Sequence, residues 1–161
     1  MPIVTLDFES YWSTTVTLKK QTPVEYILHP EFEVQSMSIK LDDGPTRFFR
    51  PDYIPQVLAQ IDWSTAACLA HNGSGFDFLI LSLVYNIYPK VYLDTQAMAR
   101  AILAKRTRTG LAYLATYLGL TAKGDLEGDV NVKGRRAYSF TEDEWARMER
   151  YNNQDVDLCY Q

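Results

Sequence analysis

The chain opens on a β-branched, apolar run, Ile3 to Phe8, which predicts a buried strand. Val34 to Leu41 alternates apolar and polar residues, the pattern of a strand with one buried face. Asp42-Asp43-Gly44-Pro45 carries turn chemistry, and a short strand, Thr46 to Arg50, follows it. These segments predict an antiparallel meander of three strands. Tyr53 to Ile61 has helical spacing, and Thr65 to His71 reads as a fourth strand ended by Asn72-Gly73. Phe76 to Tyr88 is apolar and long enough for a largely buried helix. Val91 to Leu93 makes a short fifth strand, and Asp94 or Thr95 caps a helix running to about Lys105. Leu111 to Leu118 predicts a further helix stopped by Gly119, and Thr121 to Tyr138 a glycine-rich, charged, mobile loop. The capping box Thr141-Glu142-Asp143-Glu144 opens a last helix that runs toward the C-terminus. Three antiparallel strands followed by alternating helices and strands predict an α/β domain, a mixed sheet with helices packed on it.

Composition adds bounds. A chain of 161 residues with 47% hydrophobic and 22% charged content fits one globular domain, residues 1–161, with a core that needs no staples. Cys68 and Cys159 share no paired or metal-binding spacing, and Cys68 sits in an apolar run, so a reducing cytoplasm is the simpler setting. No apolar run approaches the roughly 20 residues that span a bilayer. The formal charge of −4 lacks the basic footprint of most nucleic-acid binders. A cluster of carboxylates holding divalent cations accounts for that charge without excluding a nucleic-acid enzyme.

Three segments carry candidate chemistry. In Asp7-Phe8-Glu9-Ser10, at the end of the first strand, residues two apart share a face, so Asp7 and Glu9 project together. Side-by-side carboxylates suit a hard cation such as Mg²⁺ or Mn²⁺, although a strand end fraying into solvent gives the same pattern. Asn72-Gly73-Ser74-Gly75-Phe76-Asp77 joins a strand to a helix and puts Asp77 in the first turn, where capping alone also favours Asp. On the last helix Tyr151 and Asp155 are four apart and share a face, whereas Asp157 points elsewhere, as an ordinary surface acid would.

In this order the three segments resemble the three motifs of the DEDD exonucleases, on a ribonuclease-H-like fold. The resemblance covers nearly the whole chain, and Leu93-Asp94-Thr95 with Leu111 to Leu114 resembles the elements between the motifs. The histidine subclass would place its base at position 150, which is Arg150; the tyrosine subclass places Tyr at 151, as found here. The chain therefore resembles the tyrosine subclass, DEDDy. The wording around Asp7 and from His71 to Leu81 resembles the N-terminal exonuclease domain of phage family A DNA polymerases.

That resemblance implies a mixed five-stranded sheet, three antiparallel strands then parallel ones, flanked by helices. It implies Asp7, Glu9, Asp77 and Asp155 as ligands of two divalent cations, Mg²⁺ with Mn²⁺ able to substitute, and Tyr151 as the residue that orients the attacking water. Phe8, Ser10, Asn72 and Phe76 match substrate-binding positions, with Asn72 and Phe76 equally readable as a turn and a core residue. Tyr11 and Trp12 are candidate stacking surfaces for unpaired bases, and Lys105 to Arg108 and Lys133 to Arg136 are candidate phosphate contacts. The implied activity is removal of nucleoside 5′-monophosphates from the 3′ end of single-stranded DNA, as proofreading for a polymerase domain expected to follow in the native chain, since Gln161 falls within the last motif's helix. The location implied is the cytoplasm, the host's if the gene is a phage's. An exoribonuclease, or a catalytically silent nucleic-acid-binding module, are the alternatives.

Overall fold

A computed structural model describes residues 1–103, 106, 108–120 and 130–161 of the chain. Its centre is a five-stranded sheet. The strands are β1 (Ile3–Ser10), β2 (Val34–Leu41), β3 (Arg47–Phe49), β4 (Ala67–Ala70) and β5 (Val91–Asp94), in the order β3-β2-β1-β4-β5. The first three pair antiparallel, and β4 and β5 then run parallel to β1. This is the expected ribonuclease-H-like mixed α/β arrangement. The helices are α1 (Pro23–Ile27), α2 (Ile54–Leu58), α3 (Asp77–Leu83), α4 (Thr95–Leu103), α5 (Leu111–Leu118) and α6 (Glu142–Tyr160).

Strand parity divides the sheet into two unlike faces. Val4, Leu6 and Phe8 of β1, Met37 and Ile39 of β2, and Cys68 of β4 point to one side and form the main apolar core with α1, α2 and α3. Thr5, Asp7 and Glu9 of β1 and Ser36, Ser38 and Lys40 of β2 point to the other, with Asp7 opposite Ser38 and Glu9 opposite Ser36. The alternation in β2 predicts one buried and one solvated face, but Val34 to Ile39 are all buried. Helix α6 covers the polar face. Its start is fixed by Thr141, whose side chain accepts from Glu144 N while the Glu144 carboxylate accepts from Thr141 N. Glu142, Asp143 and Glu144 complement the dipole there.

Several expected elements are shorter than the patterns suggest. Helix α3 ends at Leu83 rather than Tyr88, because Asn86 takes a left-handed conformation with φ 54°. Residues 54–58 alone form α2, after a 3₁₀ turn at 51–53. Helix α5 stops where expected, at Gly119, whose φ of 72° suits glycine. The expected end of α4 at Lys105, the cluster members Lys105 and Thr107, and 121–129 of the expected loop lie outside the described residues. The described remainder of that loop is anchored: Val130 and Val132 join Phe140, Trp145 and Met148 in a second core. Helix α1 was not anticipated, yet its capping box Thr22-Pro23-Val24-Glu25 has the same form as that of α6. Among the described residues no helix is long and apolar enough to cross a membrane.

One acid ties two segments together. Asp94, at the end of β5, accepts from Gln96 N and Ala97 N, capping α4, and also from Asn72 N and Ser74 N in the turn after β4. Burial pushes its pKa up, but the amides of Ser74, Ala97 and Asn72 outweigh that and hold it below the usual carboxylate range. Asp94→Ala should destabilise the protein by about 2 kcal/mol in urea melts, as the loss of a strong cap does. An unchanged midpoint would show that the turn is held by other contacts.

Candidate functional site

The acids at the end of β1 meet α6 through a polar seam. Ser36 Oγ donates to Asn152 Oδ1 at 3.3 Å, Ser38 Oγ donates to Asn153 Oδ1 at 2.7 Å, and Lys40 Nζ donates to Asp157 Oδ1 at 3.1 Å. Asp157, expected to be an idle surface acid, also accepts from Thr46 Oγ1 at 2.5 Å. These contacts set the rotation of α6, and that rotation turns Asp155 inward, where it is 4% exposed. One carboxylate oxygen each from Asp7, Glu9 and Asp155 then lies within 4.8 Å of the others. Like charges about 4 Å apart repel by about 4 kcal/mol in a partly polar protein environment. A divalent cation among the oxygens turns that repulsion into attraction, and an all-oxygen donor set suits Mg²⁺ or Mn²⁺. The residues present therefore fit such an ion.

Asp77 stands beside this group rather than inside it. It opens α3, is 2% exposed, and its Oδ1 accepts from Phe8 N at 3.0 Å, between Asp7 and Glu9 in the chain. Burial pushes its pKa up to about 7, partly offset by hydrogen bonds from the Phe8 amide and its own, with Asp94 and Asp155 adding repulsion. The turn that delivers it is close-packed: a side chain at Gly73 would press into the Phe78 ring and the Ala70 methyl. Asn72 adopts φ 62° in that turn, its side chain lying against Gly75. Tyr151 lies one turn before Asp155, and its ring packs on the second core.

Next to Glu9 a cleft of about 280 Å³ opens, lined by Phe8, Ser10, Trp12, Tyr26 and Phe76, with Leu18 and Lys19 also contributing. Three of the four sequence-predicted substrate positions, Phe8, Ser10 and Phe76, meet there; Asn72 is not part of this lining. The Tyr26 hydroxyl donates to Tyr11 O, so the 2.8 Å contact with Ser10 must use the Ser10 proton. Ser10 Oγ thus keeps only acceptor capacity toward the cleft. Tyr26 came with the unanticipated α1, and the Thr22-x-x-Glu25 pattern was the signal that could have found it.

Two expectations need correction. Tyr11 is no stacking platform, since it is buried under the Arg136 guanidinium, 3.7 Å from its ring. Arg135 and Arg136 are also engaged internally. Arg135 pairs with Glu144, and Arg136 with Glu31 and Glu33. Arg108 Nη1 donates to the Tyr113 hydroxyl at 2.7 Å. Lys133, whose ammonium lies 5.6 Å from the Trp12 ring centre, remains on the surface near the cleft. Trp12 remains part of the cleft lining.

No family model matches the chain, and no curated protein matches it in sequence. Among solved structures it is similar to a family B DNA polymerase from the hyperthermophilic archaeon Pyrobaculum calidifontis, with a TM-score of 0.58 and 13% identity. The match covers 99% of this chain and 23% of the polymerase. The chain thus spans about a quarter of that enzyme's length. At that identity the likeness is one of fold.

The raised pKa of Asp77 has a definite sign. The folded state holds this proton more tightly than the unfolded chain, so its stabilising effect is full below the ordinary value of 3.8 and is lost as pH rises through about 7. With divalent cations chelated, Asp77→Asn keeps an acceptor for Phe8 N and removes the buried charge. It should melt several degrees above the parent at pH 8, the gap closing toward pH 4. A variant that melts lower at pH 8 would remove the argument from desolvation.

Proposed function

We propose that this chain is a metal-dependent 3′→5′ exonuclease domain that shortens DNA from its 3′ end in association with a DNA polymerase. The observation that carries the reading is the meeting of Asp7, Glu9 and Asp155 beside a largely apolar cleft of about 280 Å³. Asp7, Glu9, Asp77 and Asp155 would hold two divalent cations, Mg²⁺ or Mn²⁺. Bound there, such cations supply an activated water and neutralise charge on the leaving oxygen.

The chain's own residues do the rest. Asp7 and Glu9 set the attack position at the open end of β1, and Asp155 closes it from α6. Asp77 gives up its proton when cationic charge offsets its burial. Tyr151 orients the attacking water through its hydroxyl. Phe76, half-buried at the cleft, presents a face on which a terminal base stacks, backed by the buried Phe8, and Ser10 accepts a hydrogen bond from a sugar hydroxyl. Lys19 and Lys133 offer ammonium groups to phosphates. The product is a nucleoside 5′-monophosphate.

The polymerase association is supported by two independent likenesses. The residues around Asp7 and His71 resemble phage family A enzymes, and the fold is similar to part of a family B enzyme. Their common ground is a DNA polymerase, and the reading rests at that level.

Asp7→Ala should reduce Mg²⁺-dependent shortening of a 3′-ended DNA oligonucleotide to the metal-free background, with circular dichroism unchanged. Undiminished digestion would remove Asp7 from the site. Run beside a matched RNA strand, the parent protein should consume the DNA faster. Preferential loss of RNA would make it an exoribonuclease, and binding without any digestion a silent nucleic-acid-binding module.

A further inference from the structure

Beside the acids lies a fully buried amide that the reaction itself does not use. Asn152, one residue past Tyr151 and three before Asp155, is 0% exposed. Its Nδ2 donates to Asp7 Oδ2 at 2.5 Å and approaches the Asp7 main-chain oxygen at 3.3 Å. Its Oδ1 accepts from Ser36 Oγ at 3.3 Å. The orientation of the amide is forced. An ionised carboxylate and a main-chain carbonyl are both acceptors, so the NH₂ end must face Asp7. The Ser36 hydroxyl, one strand away on β2, supplies the proton that the other end needs.

We infer that Asn152 is a positioning residue that aims the Asp7 carboxylate, so that its second oxygen turns toward Glu9 and Asp155. The inference rests on the metal-site reading above. A merely space-filling role is a poor explanation for this choice, because a buried amide carries a desolvation cost that an apolar residue of the same shape avoids. The amide occupies one lobe of the carboxylate with a donor, which limits rotation about the Asp7 side chain. Because Asn152 and Asp155 are three apart on α6, the same contact sets the distance between Asp7 and Asp155. Partners of this kind, behind a metal ligand, commonly account for 10–100-fold in affinity. Ser36 acts one step further back, by holding the amide against flipping.

The test is calorimetric titration of Mn²⁺ into the metal-free protein, with melting followed in parallel. The parent should bind Mn²⁺. Asn152→Leu, close in shape and lacking a donor, should bind it roughly 10–100-fold more weakly and need correspondingly more Mn²⁺ for half-maximal digestion. Ser36→Ala, which leaves all four carboxylates in place, should weaken binding less but in the same direction. If Asn152→Leu folds and binds as the parent does, the positioning role is overturned while the metal site stands. Should Asn152→Leu fail to fold, Ser36→Ala decides: parent-like affinity overturns the role. A parent that binds no Mn²⁺ overturns the metal reading and this inference with it.

Discussion

Everything at the candidate site depends on how α6 lies across the polar face of β1 and β2. An apolar helix–sheet contact is tolerant of sliding, since any greasy surface satisfies any other. The seam here is different. Ser36, Ser38 and Lys40 stand two residues apart on one face of β2 and meet Asn152, Asn153 and Asp157 in turn. A slip of α6 would leave buried donors and acceptors unmatched, which costs more than the contacts contribute when made. The seam therefore acts as a register lock, and the locked register is the one that presents Asp155 to Asp7 and Glu9. Apolar anchoring comes from the start of the same helix, where Trp145 and Met148 pack with Val130, Val132 and Phe140.

The same arrangement sets function against stability. Three carboxylate oxygens within 4.8 Å, with a fourth acid buried alongside, form a group no folding argument would select. The structure spends rigidity to keep them together. Phe8 N tethers Asp77, the Asp94 carboxylate clasps the turn that carries it, and the bulge between Glu9 and Ser10 ends regular pairing just where the cleft opens. Repulsion concentrated at one sheet end, beside a well-packed core, is a common signature of a functional site.

Much of this was legible in the residues, and the parts that were not share a cause. Asp7 and Glu9 could be placed together because strand parity is a property of the backbone alone. Tyr151 and Asp155 share a face for the equivalent helical reason, and the caps of α6 and the Gly119 stop follow local rules. The buried polar face of β2 could not be read, because alternation looks the same whether serines meet water or a helix bearing asparagines. Asn152 escaped for the matching reason: an Asn in mid-helix carries no signal until its partner strand is known. Arg136 paired with Glu31 and Glu33, and Arg135 with Glu144, show how a basic cluster resembling a phosphate site can be turned inward by carboxylates brought to it only by the fold. The early end of α3 was hidden because Asn86 acts through a left-handed conformation that an apolar run does not reveal.

The central claim is that Asp7, Glu9 and Asp155 form a cage for cations, with Asp77 at its edge. Diffraction from crystals soaked in Mn²⁺, collected where manganese scatters anomalously, addresses that claim without any assumption about substrate. The account predicts an anomalous peak among the oxygens of Asp7, Glu9 and Asp155, with a second peak near Asp77 once a nucleotide is bound. Peaks confined to other surface acids, with the three carboxylates turned away from one another, would contradict it.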